Sequence, residues 1–161
     1  MPKRVTKYWL MKSEPGTYSI DDLERDRTEP WDGVRNYQAR NFMREMAEGD
    51  LAIFYHSSTN PPGAVGVCRV SREAYPDPTQ FDKNSSYYDP KSKKDDPRWS
   101  LVDVEFVEKF AEPISLQALK EDSSLEGMLV TQKGSRLSVQ PVDKKHFRRL
   151  LKVARANTKL R

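Results

Sequence analysis

The sequence predicts an α+β fold in which helices flank a mixed, mostly antiparallel β-sheet of about five or six strands that closes into a small barrel. Short apolar or alternating runs recur along the chain with helical stretches between them, and the two kinds of segment do not alternate regularly. A length of 161 residues suits one domain with one substantial core. We therefore expect residues 1–161 to form a single domain.

The composition excludes several classes of protein. One cysteine, Cys68, rules out an internal disulfide, and the only histidines, His56 and His146, do not have a zinc-site spacing, so we expect no metal. No stretch approaches the length of a membrane span, and the first four residues are not followed by the apolar segment of a signal peptide. A globular protein that does not enter a membrane is expected.

The first predicted strand covers residues 8–11 and runs directly into Lys12, Ser13 and Glu14. A buried strand that ends in a cation, a hydroxyl and a carboxylate places polar groups at the rim of a core. A second apolar run, at residues 51–55, ends in His56 and Ser57. We expect these two strand ends to supply opposite walls of one pocket.

Two helices are predicted between these strands. Ser19 is a candidate cap for a short first helix, and an apolar stripe at helical spacing between residues 39 and 46 indicates a second, packed helix. Just before that second helix, Trp31, Arg35 and Asn36 lie in a glycine-containing loop. Free backbone N–H groups at a helix start favour an anion or a polar ligand.

The second half of the chain predicts further strands and helices. Residues 64–70 read as a strand beside residues 51–56, and residues 99–110 as a long strand. Between them, residues 75–99 form a long irregular stretch of a kind that is usually functional or mobile. Ser115 is a candidate cap for a short helix, residues 129–131 and 136–139 are expected to form a hairpin, and Asp143 is expected to cap the last helix.

All of the chain's excess positive charge lies in its last residues. Residues 144–161 contain eight basic and no acidic residues, which exceeds the net charge of +4 for the whole chain. Such a segment suits a polyanion, because phosphate contacts add sequence-independent affinity. The candidate phosphate contacts are Lys144, Lys145, Arg148, Arg149 and Lys152. The alternative is a solvated helix face followed by a frayed tail.

The sequence offers little for catalysis. Ser57 and Ser58 follow His56, but no nucleophile-elbow motif surrounds them. Cys68 lies in a predicted strand and is expected to be a small buried hydrophobe, and the glycines at positions 63 and 66 match no phosphate-binding or dinucleotide-binding motif, so no cofactor is indicated. What remains is a concentration of aromatic and hydrogen-bonding residues at strand ends and loops, which suits a nucleobase pocket.

Five blocks in the chain are similar to the EVE domain family of the PUA-like superfamily: WLMKSEP at residues 9–15, WDGVRNYQARN at 31–41, FYHS at 54–57, YYD at 87–89 and RLSVQPV at 136–142. The resemblance covers about residues 7–155 and implies a PUA-like β-barrel flanked by helices, related to the YTH and SRA-type readers of modified bases. By motif position, it implies a pocket lined by Lys12, Ser13, Glu14, Trp31, Gly33, Val34, Arg35, Asn36, Phe54, Tyr55, His56, Ser57, Tyr88 and Gln140.

The hypothesis is a non-catalytic module that binds DNA or RNA and reads a modified nucleobase, such as a carbon-5-modified cytosine in DNA. Two alternatives stay open: an RNA-binding PUA-type module, and an enzyme that acts on a small nucleotide-like substrate with Glu14 as acid or base. A protein-interaction module has only the exposed stretch at residues 76–97 in its favour. We expect a monomer in the cytoplasm, associated with the nucleoid in a bacterium or located in the nucleus in a eukaryote.

Overall fold

A computed structural model describes residues 5–134 and 136–160, and it contains six strands and four α-helices within these ranges. The strands are β1 (Tyr8–Ser13), β2 (Thr28–Pro30), β3 (Leu51–His56), β4 (Gly63–Pro76), β5 (Ser100–Ser115) and β6 (Val139–Val142). The helices are α1 (Ile20–Asp26), α2 (Tyr37–Glu45), α3 (Leu116–Glu121) and α4 (Lys144–Val153). Short 3₁₀ helices cover Pro78–Phe81, Ser123–Leu125 and Leu129–Thr131.

The six strands form one sheet in the order β2-β5-β4-β3-β1-β6. Only β1 and β3 run parallel, with Ser13 opposite His56, and every other neighbouring pair is antiparallel. The α+β class and the mostly antiparallel sheet are therefore confirmed. Among the described residues the sheet is open, with β2 and β6 at its two edges, and does not close into the predicted barrel. Because β1 and β3 are parallel neighbours, their polar carboxyl-terminal ends lie side by side at the same end of the sheet.

The two faces of the sheet carry separate cores, as the alternation along β1 requires. Tyr8 and Leu10 point to one face, where the side chains of α3 and α4 complete the first core. Trp9 and Met11 point to the other face and pack with residues of α1 and α2 in the second core. The sheet is thus a middle layer between two pairs of helices.

Local capping signals correctly predicted two helix starts. The Ser19 side chain accepts a hydrogen bond from the backbone N–H of Asp22, whose carboxylate accepts one from the N–H of Ser19 in return. The Ser115 hydroxyl accepts from the N–H of Ala118 at the start of α3. Asp143 occupies the N-cap position of α4, but its side chain makes no capping hydrogen bond.

The predicted hairpin over residues 129–139 was wrong. Leu129–Thr131 is a 3₁₀ turn, and the strand that follows, β6, pairs antiparallel with β1, with Leu10 opposite Gln140. Ser135, in the expected turn, lies outside the described residues. In the described ranges, no helix is long and apolar enough to cross a membrane.

Candidate functional site

A cavity of about 330 Å³ opens where β1 ends, a size at the small end of known ligand pockets, about 300–1,000 Å³. One wall comes from the end of β1 and the turn after it, a second from the end of β2 and the loop between β2 and α2, and the rest from two residues that are distant in sequence. The lining residues are Lys12, Ser13, Glu14, Thr17, Tyr18, Glu29, Pro30, Trp31, Asp32, Gly33, Val34, Arg35, Tyr87 and Ser138.

Trp31 is a rigid aromatic surface at this cavity. Its backbone N–H donates to the carbonyl of Val102 at 2.8 Å, which continues the sheet contacts of β2. Its indole meets the ring of Phe54 edge-on, with centroids 5.4 Å apart and the planes at 87°, a favourable aromatic geometry. Only 8% of Trp31 is exposed, so little reorganisation is needed to present the ring.

Gly33 and Tyr87 form a tightly packed second wall. Gly33 has φ +79°, and a Cβ atom placed on it would lie 2.5 Å from Cζ of Tyr87. The tyrosine ring therefore rests directly against the Gly33 backbone, while 37% of Tyr87 stays exposed. Both the backbone conformation and the ring exclude a larger residue at position 33.

Arg35 lines the cavity, but its guanidinium is committed to the protein. Its Nε–H and one Nη2–H donate to the carbonyl of Tyr87. Its two Nη1–H groups donate to the carbonyl of Val34 and to the carboxylate of Asp77. The other Nη2 hydrogen goes to Oγ1 of Thr79. These contacts use all five N–H groups of an arginine side chain, so Arg35 builds the wall and has no N–H left for a phosphate.

The remaining polar groups of the cavity are rich in hydrogen-bond acceptors. Glu14, Glu29 and Asp32 all line it. Burial raises the pKa of Glu29 above its ordinary value. Burial likewise raises the pKa of Asp32, and the nearby carboxylate of Asp77 adds to that effect. A donor group on a ligand would meet carboxyl oxygens here.

Lys12 and Ser13 lie at the rim with their polar atoms engaged by the protein. The Nζ of Lys12 is 5.8 Å from the ring centroid of Tyr55, and burial lowers the pKa of this ammonium. The Ser13 hydroxyl donates to the carbonyl of Tyr18 at 2.5 Å. The hydroxyl of Tyr18 donates to Asp26 at 3.0 Å, so side-chain hydrogen bonds fix the turn after β1.

Four predicted site residues on strands lie outside the lining, because three of them are buried and the fourth, His56, is half-buried and bonded to α1. Phe54 is 0% exposed behind Trp31, and Tyr55 points into the other core. Nε2 of His56 accepts a hydrogen bond from the N–H of Ile20 at the start of α1, at 3.1 Å. Gln140 is buried, and its amide donates to the carbonyl of Leu137 at 2.8 Å.

Three predicted site residues in loops also lie outside the lining. The side chain of Asn36 accepts from the N–H of Ala39 and caps α2. Ser57 continues the β1–β3 pairing, since its N–H donates to the carbonyl of Ser13. Tyr88 is half-buried beside Tyr87, which is the tyrosine that reaches the cavity. Thr17, Tyr18, Glu29, Pro30, Asp32, Tyr87 and Ser138 complete the lining and were missing from the predicted site.

The basic helix α4 lies on the face of the sheet opposite Trp31. Its buried residues Phe147, Leu150 and Leu151 belong to the first core, whereas Trp31 belongs to the second. Arg149 forms an ion pair with Asp122 at 2.9 Å. Lys144, Lys145, Arg148 and Lys152 are exposed along the helix, so phosphate contacts remain a prediction for this separate face.

Comparison with known proteins assigns the chain to a family. The EVE domain model matches residues 7–153. The chain belongs to the EVE domain family. This EVE domain is 46% identical over 164 residues to mouse thymocyte nuclear protein 1, an alignment that spans 90% of this chain and 72% of the mouse protein. Human thymocyte nuclear protein 1 is 44% identical over 164 residues, with the same two coverages of 90% and 72%.

Solved structures share the fold of this EVE domain. A Pseudomonas syringae protein is 50% identical with a TM-score of 0.89, covering 91% of this chain and 99% of that one. The crystal structure of human THYN1 in complex with DNA containing 5-methylcytosine is 42% identical with a TM-score of 0.86, covering 96% and 100%. A YTH domain from Zygosaccharomyces rouxii, 12% identical with a TM-score of 0.52, shares the fold alone.

Proposed function

We propose that this EVE domain is a non-catalytic nucleic-acid-binding module that reads a modified nucleobase, of the 5-methylcytosine type in DNA. One observation carries the proposal: an aromatic cavity with acceptor groups, formed around Trp31 and Tyr87. The chain is also 42% identical to human THYN1, whose structure was determined with DNA containing 5-methylcytosine.

The aromatic residues of the cavity suit a flat heterocycle. A base that leaves its stack is commonly held between aromatic side chains, and one base–aromatic stack contributes about 1–3 kcal/mol. The packed indole of Trp31 and the ring of Tyr87 supply such surfaces, since both residues line the cavity.

The acceptor groups favour a base edge that carries donors. Cytosine presents an exocyclic amino group, whereas thymine presents a carbonyl at that position and carries the same carbon-5 methyl group as 5-methylcytosine. Carboxyl oxygens of Glu14, Glu29 and Asp32 can accept from the amino group. The proposal therefore requires 5-methylcytosine to bind better than thymine at the same position.

A fluorescence titration with three matched oligonucleotides tests the proposal. The strands carry cytosine, 5-methylcytosine or thymine at one site, and each is titrated at low and at physiological salt. We expect a preference for 5-methylcytosine that persists at the higher salt, because a base pocket depends less on phosphate charge than backbone contacts do. Equal binding of all three strands, lost on adding salt, would refute a base-reading cavity.

Two adjacent tyrosines provide a matched pair of variants. Tyr87→Ala removes a cavity wall, and Tyr88→Ala removes a half-buried neighbour outside the lining. We expect the preference for the modified strand to fall in the first variant and persist in the second. Trp31→Ala should weaken binding by about 1–3 kcal/mol, the contribution of one stack. Full affinity in both cavity variants would contradict the proposed site.

The enzymatic alternative is tested with a free modified nucleotide. Two potentially reactive side chains outside the cavity support the non-catalytic proposal. His56 accepts a hydrogen bond from α1, and burial raises the pKa of the Cys68 thiol to about 12. If Glu14 were an acid or base, incubation with a modified nucleotide would yield a product, and Glu14→Gln would abolish it. An unchanged substrate in both samples supports a reader.

A further inference from the structure

Asp77 has an unusual position for a charged residue near the cavity. Its side chain is 0% exposed, and its carboxylate accepts hydrogen bonds from the N–H of Gly33 at 2.8 Å, Nη1 of Arg35 at 3.1 Å, and both the N–H and the hydroxyl of Thr79. Burial alone would raise the pKa of Asp77, but these contacts outweigh it and hold the pKa below its ordinary value. The carboxylate is absent from the cavity lining.

Two of these contacts lead directly to Tyr87. Gly33 supplies the backbone on which the tyrosine ring rests. Arg35 donates to the carbonyl of Tyr87 from Nε at 3.1 Å and from Nη2 at 2.8 Å, and its Cζ lies 5.5 Å from the centroid of the tyrosine ring. Asp77 thus accepts hydrogen bonds from both residues that fix Tyr87. Gly33 packs against the tyrosine ring, and Arg35 binds the tyrosine carbonyl.

The segment that carries Tyr87, residues 77–99, is organised mainly by polar contacts. The amide of Gln80 donates to the carbonyls of Asp77 and Trp99, and its oxygen accepts from the N–H of Trp99. The indole N–H of Trp99 donates to Asp89 at 2.7 Å. Within this segment the only α-helical or 3₁₀ element is Pro78–Phe81. A hydrogen-bond network of this kind keeps its geometry only while its buried members stay satisfied.

We propose that Asp77 is a positioning residue for the cavity: it touches no ligand but sets the Tyr87 wall through Gly33 and Arg35. The identity of the ligand rests on the proposed function, whereas the positioning itself does not. The test variant is Asp77→Asn, which keeps the size of the side chain but removes its charge and converts one acceptor into a donor. Asp95→Asn is the control, an exposed carboxylate in the same segment.

Binding of the strand with 5-methylcytosine is measured for both variants, alone and combined with Tyr87→Ala. We expect Asp77→Asn to weaken binding roughly tenfold, the effect of one charge-assisted buried contact, and Asp95→Asn to bind like the unaltered protein. In the Tyr87→Ala background the Asp77 substitution should have little further effect, because the residue through which it acts is gone. Unchanged binding of Asp77→Asn, or a full additional loss in the double variant, would overturn the proposal.

Hydrogen exchange gives a readout that needs no ligand. In Asp77→Asn we expect faster exchange of the Gly33 amide and of residues 85–88 than in Asp95→Asn, with the amides of β3 unaffected. If the unaltered protein shows no base preference, the proposed function fails, but this exchange pattern still decides the positioning. Equal exchange in both variants would overturn it. Should Asp77→Asn fail to fold, Thr79→Val, which removes one hydroxyl partner of Asp77 and Arg35, must show the same pattern.

Discussion

Replacing Gly33 by alanine tests the packing of the cavity wall. A residue with a Cβ at positive φ is strained by about 1–2 kcal/mol, and the φ of Gly33 is +79°. The new methyl group would also lie 2.5 Å from Cζ of Tyr87, so the ring must move, and overpacking of this kind typically costs about 1–3 kcal/mol. We expect Gly33→Ala to lower the free energy of unfolding by about 2–5 kcal/mol.

Gly49→Ala is the control that separates these two costs. Gly49 also has a positive φ, +96°, but no atom lies within 4 Å of the Cβ position. Its substitution should therefore cost only the backbone strain of about 1–2 kcal/mol. Alanine restricts the unfolded chain equally in both variants, so the difference between the two unfolding free energies measures the displacement of Tyr87.

The assay is equilibrium urea denaturation of both variants, followed by the titration with the 5-methylcytosine strand. Gly33→Ala should lose the preference for the modified base because the ring is pushed into the opening, and Gly49→Ala should keep it. Equal stability losses, together with normal binding by Gly33→Ala, would refute the contact between Tyr87 and Gly33.

Three further predictions concern other parts of the molecule. Burial lowers the pKa of His56 in the folded protein, and the neutral imidazole accepts a hydrogen bond from the N–H of Ile20. This contribution to the free energy of unfolding, about 1 kcal/mol, should be complete above the unfolded-state pKa of about 6.5. It should decline as the pH falls through the lower pKa of the folded state. Urea denaturation between pH 5 and pH 8, compared with His56→Gln, checks this. Cys68 is fully buried with its pKa raised to about 12, so a thiol reagent should label it only after unfolding, and rapid labelling of the native protein would contradict this. Reversing the charge of Lys145, Arg148 and Lys152 on α4 should reduce the salt dependence of binding without changing the base preference. An unchanged salt dependence would show that this side of α4 is only a solvated face.

Features that depend on neighbouring residues could be predicted from the sequence. The apolar run of β1 predicted a buried strand, and Ser19 and Ser115 predicted helix starts, because strand burial and capping are visible within a few residues. The hairpin prediction failed for the opposite reason. A short apolar run on each side of Gly134 resembles a hairpin locally, but β6 pairs with β1 at the other end of the chain.

The candidate site follows the same division. The polar end of β1 and the loop containing Trp31 could be predicted. An apolar strand followed by polar residues, and a polar loop before a helix, are both visible in the sequence. Phe54 and Tyr55 could not be assigned to a face until the pairing of β3 was known, and the two cores bury both. Tyr87 lies in a segment without periodicity, where no local signal distinguishes it from Tyr88.

The placement of α4 changes how its charge can contribute to binding. A phosphate held by Arg148 would lie on the face of the first core, whereas a base beside Trp31 enters from the face of the second. One nucleic acid could reach both only by passing round an edge of the sheet. Neutralised phosphates set the salt slope, and base contacts set the preference. These two quantities should therefore respond to different substitutions, with α4 variants changing only the first and cavity variants mainly the second.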